Sequence, residues 1–159
     1  MSLFDLTGRC YVVTGSTRSI GLAISRQLLQ LNARVLIVSR TQSDVQNCVE
    51  MLEDEIAQSS SDEPVLGCCC DVSTSEGRTA LLKNATEAFD GRLDGLINNV
   101  GYNTKEKHTI EEQTELEYRE IMMTNVDSAY YLCKLFQVSF FQPRVPNKFA
   151  HEKVEYSSN

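Results

Sequence analysis

Cys10-Tyr-Val-Val-Thr-Gly-Ser-Thr-Arg-Ser-Ile-Gly21 decides the fold. Its start, Cys10–Thr14, is a compact run of β-preferring side chains. Its end, Thr14–Gly21, carries two glycines and leads into a segment in which Ile20, Ala23, Ile24, Leu28 and Leu31 recur at intervals of three and four. That spacing is one face of a helix. A glycine turn between strand and helix exposes backbone N–H groups, and the helix N-terminus adds partial positive charge. Together they suit a pyrophosphate. A glycine pattern alone is weak, and its weight comes from the strand before it and the helix after it. The plain alternative is an ordinary tight turn.

Outward from this stretch the same alternation continues. Asn32 sits where a left-handed helix cap is wanted, and Val35-Leu-Ile-Val38 is a second strand, apolar on both faces. Val45, Cys48, Val49, Leu52 and Ile56 predict a second helix, and Ser59–Glu63 a polar loop. Pro64–Cys70 reads as strand three, with proline at its first position, where it is tolerated. Leu81, Leu82, Ala85 and Phe89 mark a third helix. Leu96-Ile97 begins a fourth strand that runs into Asn98-Asn-Val-Gly101. A helical region is predicted from about Glu112 to Phe141, with Ala129, Cys133, Phe136 and Phe140 on one face. Continuous apolar strands alternating with helices predict an α/β fold, a parallel sheet covered on both sides. Right-handed crossovers make it doubly wound and Rossmann-like, in strand order 3-2-1-4.

At 159 residues one domain is expected. A net charge of −7 and the absence of a Lys/Arg run exclude a basic nucleic-acid stripe. No apolar stretch reaches a membrane span. The N-terminus carries Asp5 and no apolar segment, unlike a secretory signal. A cytoplasmic location is expected, with an organellar transit peptide left open. The six cysteines (Cys10, Cys48, Cys68, Cys69, Cys70 and Cys133) contain no Cys-x-x-Cys pair. Three in a row on a strand alternate faces, poor geometry for one metal, so buried apolar roles are expected and no metal site. His108 and His151 are isolated and read as surface residues.

The end of strand two selects the cofactor. Sheets that bind NAD place an acid there for the ribose 2′-hydroxyl. Here the residues are Ser39 and Arg40, and Arg18 in the first loop can reach the same place. An arginine fork and a hydroxyl suit a 2′-phosphate, which points to NADP(H). The alternative is that Arg40 is a solvated helix-start residue.

These residues resemble the short-chain dehydrogenase/reductase family, in its tropinone-reductase-like branch. Thr14-Gly15-(x)3-Ser19-Ile20-Gly21 is similar to the family's glycine loop, Asp71-Val72 to its adenine-contacting pair, Asn98-Asn99-Val100-Gly101 to the segment closing strand four, and Thr124-Asn125-Val126 to a helix segment. The resemblance covers about residues 3 to 137. It implies NADP(H) contacts from Gly15, Ser16, Thr17, Arg18, Ser19, Ile20, Gly21, Ser39, Arg40, Asp71, Val72, Asn99, Val100 and Gly101, and a supporting role for Asn125 in a proton relay. Ser19 departs from the family's second glycine and either crowds the phosphates or donates to them. Val100 replaces a smaller alanine.

The larger departure is catalytic. The family's serine, on a fifth strand, and its Tyr-(x)3-Lys, which moves a proton to or from the substrate oxygen, have no counterpart. Tyr130 and Lys134 have the spacing but follow Asn125 on the same helix, the wrong element. Residues 142–159, with Pro143 and Pro146, show no apolar period and read as an irregular tail. The expectation is a cofactor-binding half, 1–141, cut off and joined to unrelated sequence by a frame change, a retained intron, splicing or a mis-set gene end. Strand four then lies at an apolar edge. Three functions stay open: a reductase moving hydride between NADPH and a small-molecule carbonyl or alcohol, a nucleotide-binding or subunit-pairing module using the helix around Asn125 to Phe141, and a non-functional fragment.

Overall fold

The structure is a computed structural model describing residues 4–57, 65–104 and 109–140, with backbone alone for 138–140. The expected tail, the polar loop before strand three, Pro64, His108, His151, Phe141 and the side chain of Phe140 lie outside the described residues.

Four strands form one sheet: β1 (Cys10–Thr14), β2 (Arg34–Ser39), β3 (Leu66–Cys69) and β4 (Gly95–Ile97). Their order is β3-β2-β1-β4 and each pairing is parallel. The expected doubly wound arrangement is therefore present, with all carboxyl ends at one edge. The helices are α1 (Ser19–Gln30), α2 (Gln42–Ala57), α3 (Ser75–Ala88), α4 (Glu115–Met122) and α5 (Ser128–Phe140). A π-helical segment, Met123–Asp127, joins α4 to α5.

Strand alternation divides the core in two. Val12, Leu36, Val38 and Cys68 face α3 and α5, where they meet Leu81, Ala85, Phe89, Leu132 and Phe136. Val13, Val35 and Ile37 face α1 and α2, against Leu29, Cys48, Leu52 and Ile56. Covered on both sides, β2 is buried from Val35 to Val38, which is why that run is apolar without interruption.

Two helix faces differ from the periodic expectation. In α1 the buried residues are Gly21, Ser25 and Leu29, while Ile20 is 70% exposed. A Cβ on Gly21 would stand 2.3 Å from the Gly15 carbonyl oxygen, so α1 meets the loop through its smallest residue. Ser25 hides its hydroxyl by donating to Gly21 O at 2.9 Å. In α5 the buried line is Ser128, Leu132 and Phe136, and Cys133 is exposed. Ser128 donates to Thr124 O at 2.6 Å. A polar residue with its bond made inside the helix sits on each contact face; Ile24 and Leu28 of the predicted α1 period flank it half-buried against the core, and Phe136 of the predicted α5 period is buried.

The cysteines also divide. Cys10, Cys48, Cys68 and Cys70 are buried as expected, but Cys69 and Cys133 are exposed. Cys69 is out of phase with its neighbours on an edge strand. Among the described residues no helix is long and apolar enough to cross a membrane.

Candidate functional site

A crevice of about 420 Å³ opens at the carboxyl ends of the strands. Its floor is the turn from β1 into α1. Gly15 adopts φ +62°, a left-handed conformation suited to glycine. Arg18 is extended at the start of α1, without a side-chain cap and with no acid in the first turn. The first in-helix bond is Leu22 N–H to Arg18 O at 3.2 Å, so the preceding amides are free of helix partners. Such an end attracts anions. Ser19 lines this floor and holds φ +49°, a strained conformation for a residue with a side chain.

Ser16 lies under the floor, fully buried. Its amide donates to Val38 O at 3.1 Å. Its hydroxyl donates to Val13 O at 2.7 Å and accepts from Val38 N–H at 2.7 Å. The residue ties β1 to β2 below the crevice.

The β2–β3 wall carries Ser39, Arg40, Asp71 and Val72, with Arg18 across from them in the floor. Asp71 Oδ1 accepts from the Ser73 amide at 2.9 Å and the Ser73 hydroxyl at 2.7 Å. Thr74 caps α3 by accepting from Gly77 N–H at 3.0 Å. Arg78 Nη1 donates to Val72 O and Ser73 O, each at 2.9 Å. Asp44, which the strand-end reading did not include, also lines this wall, from the first turn of α2.

The β4 wall carries Asn99, Val100, Gly101 and Tyr102. Asn99 Nδ2 donates to Thr14 O at 3.1 Å and Gly15 O at 3.0 Å, and its amide donates to Thr14 Oγ1 at 3.0 Å. These bonds close β4 onto the glycine turn. Asn125 is exposed and does not line the crevice. Its side chain is paired with the Tyr102 backbone, accepting from N–H at 2.7 Å and donating to O at 2.8 Å. Its neighbour Thr124 reaches the crevice.

Thus Gly15, Thr17, Arg18, Ser19, Ile20, Ser39, Arg40, Asp71, Val72, Asn99, Val100 and Gly101 meet in one crevice, while Ser16, Gly21 and Asn125 support it from behind. Tyr102 and the π-helical segment were not visible in the sequence. The cluster of poor helix formers Thr124-Asn125-Val126-Asp127 was the available signal. Tyr130 is 62% exposed and stacks edge-on against Tyr131 at 5.1 Å, outside the crevice with Lys134. Cys70 is no ready nucleophile, because the neighbouring Cys68 thiol and its burial push its own thiol well up. Among the described residues no cluster of His, Cys, Asp and Glu is arranged to hold a metal ion.

Residues 9–143 match the family described as short chain dehydrogenase. A tropinone reductase homolog of Arabidopsis thaliana is 39% identical over 132 residues, covering 83% of this chain and 47% of its own length. A tropinone reductase homolog of Datura stramonium is 36% identical over 132 residues, covering 83% of this chain and 46% of its own. The chain therefore spans about half the length of the curated relatives it matches. Among solved structures, L-sorbose reductase of Gluconobacter frateurii, complexed with NADPH and L-sorbose, superposes with a TM-score of 0.76 at 26% identity, over 85% of this chain and 48% of that one. A metagenomic short-chain oxidoreductase in complex with NADP gives 0.74 at 27% identity, over 84% and 57%. Family model, relatives and superposition agree with the parallel sheet and its glycine turn: the chain belongs to the short-chain dehydrogenase family.

Proposed function

We propose that residues 1–141 form the NADP(H)-binding unit of a short-chain reductase that moves hydride between the nicotinamide and a small-molecule carbonyl or secondary alcohol. The observation that carries this reading is the crevice itself. It combines an uncapped α1 N-terminus for a pyrophosphate with Arg18, Ser39 and Arg40 for a 2′-phosphate. Asp71 and Val72 would face adenine, and Asn99, Val100 and Gly101 the nicotinamide side. The bound forms of the superposed L-sorbose reductase and metagenomic enzyme support a nicotinamide cofactor. Asn125, by holding Tyr102, would fix the backbone on that side.

On this reading the chain binds cofactor but does not turn over substrate alone. Tyr130 stands outside the crevice, and no other tyrosine–lysine pair of that spacing follows Asn125. Fluorescence titration of the purified chain with NADPH and NADH tests the binding. NADPH should bind at least about tenfold tighter, the value of one charge-assisted contact. Equal affinities would overturn the selectivity, and no binding of either would overturn the site. Measurable NADPH oxidation with a panel of ketones would overturn the inactivity.

A second reading, subunit pairing, is favoured by the outer face of the π segment and α5, where Val126 is 48% and Tyr130 62% exposed. Sedimentation of the chain alone and mixed with a full-length relative would test it, and a monomer in both would sink it. A cytoplasmic location accompanies both readings, although one Arabidopsis relative is chloroplastic.

A further inference from the structure

Arg78 is a charged side chain only 9% exposed, one turn into α3. Its guanidinium does two things at once. Nη1 donates to the carbonyls of Val72 and Ser73, and the planar group lies 4.9 Å from the centroid of the Tyr131 ring on α5. Both carbonyls belong to the turn after β3, whose Asp71 and Val72 form one end of the crevice wall. Desolvating a guanidinium is costly unless its partners are fixed. Here two carbonyl dipoles and a ring face hold it, and the restraint is mutual: the turn cannot shift without breaking bonds to a buried charge. Gly77 adds a second constraint. A Cβ there would stand 1.9 Å from Asp71 O, so α3 is seated directly on the turn.

We infer that Arg78 is a positioning residue for the adenosine end of the nucleotide site, fastening the Asp71–Ser73 turn to α3 and, through Tyr131, to α5. The inference rests on the nucleotide reading above. It separates the crevice into two ends held by different means: the pyrophosphate floor by Ser16 and Asn99, and the adenosine wall by Arg78.

Calorimetric titration of the full chain with two probes tests it. Adenosine 2′,5′-bisphosphate reports the wall, and inorganic pyrophosphate reports the floor. In Arg78→Gln the affinity for the bisphosphate should fall about tenfold, one hydrogen bond to a charged group, while that for pyrophosphate stays within about twofold. Arg78→Lys, which keeps the charge without the fork, should restore only part of the loss. Unchanged bisphosphate affinity, or equal losses with both probes, would overturn the inference, since a general weakening of the fold lowers both. If Arg78→Gln does not fold, Tyr131→Leu carries the test. It removes the ring from a half-exposed position, and should weaken the bisphosphate alone, about threefold. If the unaltered chain binds pyrophosphate but not the bisphosphate, the nucleotide reading itself fails, whatever the variants do.

Discussion

The two flanks of the crevice are built to different standards. On the β2–β3 flank, Val35 to Val38 are buried, and although the edge strand β3 exposes Gly67 and Cys69, the turn after it is held by Ser73, Thr74 and Arg78. On the β4 flank, all three strand residues are only half-buried and α4 has no buried residue. Beyond it Val126 and Tyr130 stand 48% and 62% exposed. The floor and the first flank are organised by their own contacts. The second flank presents apolar surface without a matching cover among the described residues. The relatives run to about twice the matched length, so a larger protein of this family has chain with which to cover such a face.

The contrast can be broken hardest at the floor, which both flanks share. Gly21→Ala would push a methyl into Gly15 O and Asn99 Nδ2. It should abolish nucleotide binding and lower the thermal midpoint by about 10 °C, as a loss of about 3 kcal/mol does at this size. A calorimetric scan with and without NADPH checks both.

On the β2–β3 flank, Arg40→Glu should weaken NADPH about 100-fold, replacing attraction by repulsion at a 2′-phosphate. NADH, lacking that phosphate, should be nearly unaffected, and parallel titrations read the difference.

The β4 flank is best loosened through Asp94, at the start of its strand. Burial alone would raise this carboxyl, but donation from Arg92, Arg9 and the Cys10 amide outweighs it and holds the group well below the usual range. A depressed folded-state value means the stabilisation is full above the unfolded value near 4 and is lost as pH falls through the folded one. Asp94→Asn should therefore lower the midpoint by about 5 °C at pH 7. The gap from the unaltered protein should close as the pH drops below about 4, which melts across a pH series would reveal.

The smallest effect is expected outside both flanks. Lys134→Ala, on an exposed position of α5, should leave NADPH affinity unchanged within about twofold, near zero on an energy scale. A larger loss would bring the Tyr130–Lys134 pair back into consideration.

What could be read without coordinates follows the same division. Val35-Leu-Ile-Val38 announced a strand buried on both faces, and the Rossmann-like class that the alternation implied carried the strand order with it. The crevice residues were legible because free amides, glycines and arginines cluster where strands end. Contacts made by small or polar residues were not. Gly21 and Ser25 share the seat of α1 with Leu29, and Ser128 shares that of α5 with Leu132 and Phe136, so part of each contact leaves no apolar signal. Arg78 looked like any helix arginine, since nothing local shows that two carbonyls and a ring await it. The π turn hides for a similar reason: its one extra residue per bond leaves only a dip in helix propensity.

Ser16 has a wider consequence. By bonding Val13 and Val38 at once, it works as a pin across the ends of two paired strands. The mouth of the sheet is propped at a fixed width before anything enters. A guest molecule would find a berth already cut to size, so little of its affinity would go into rearranging the host.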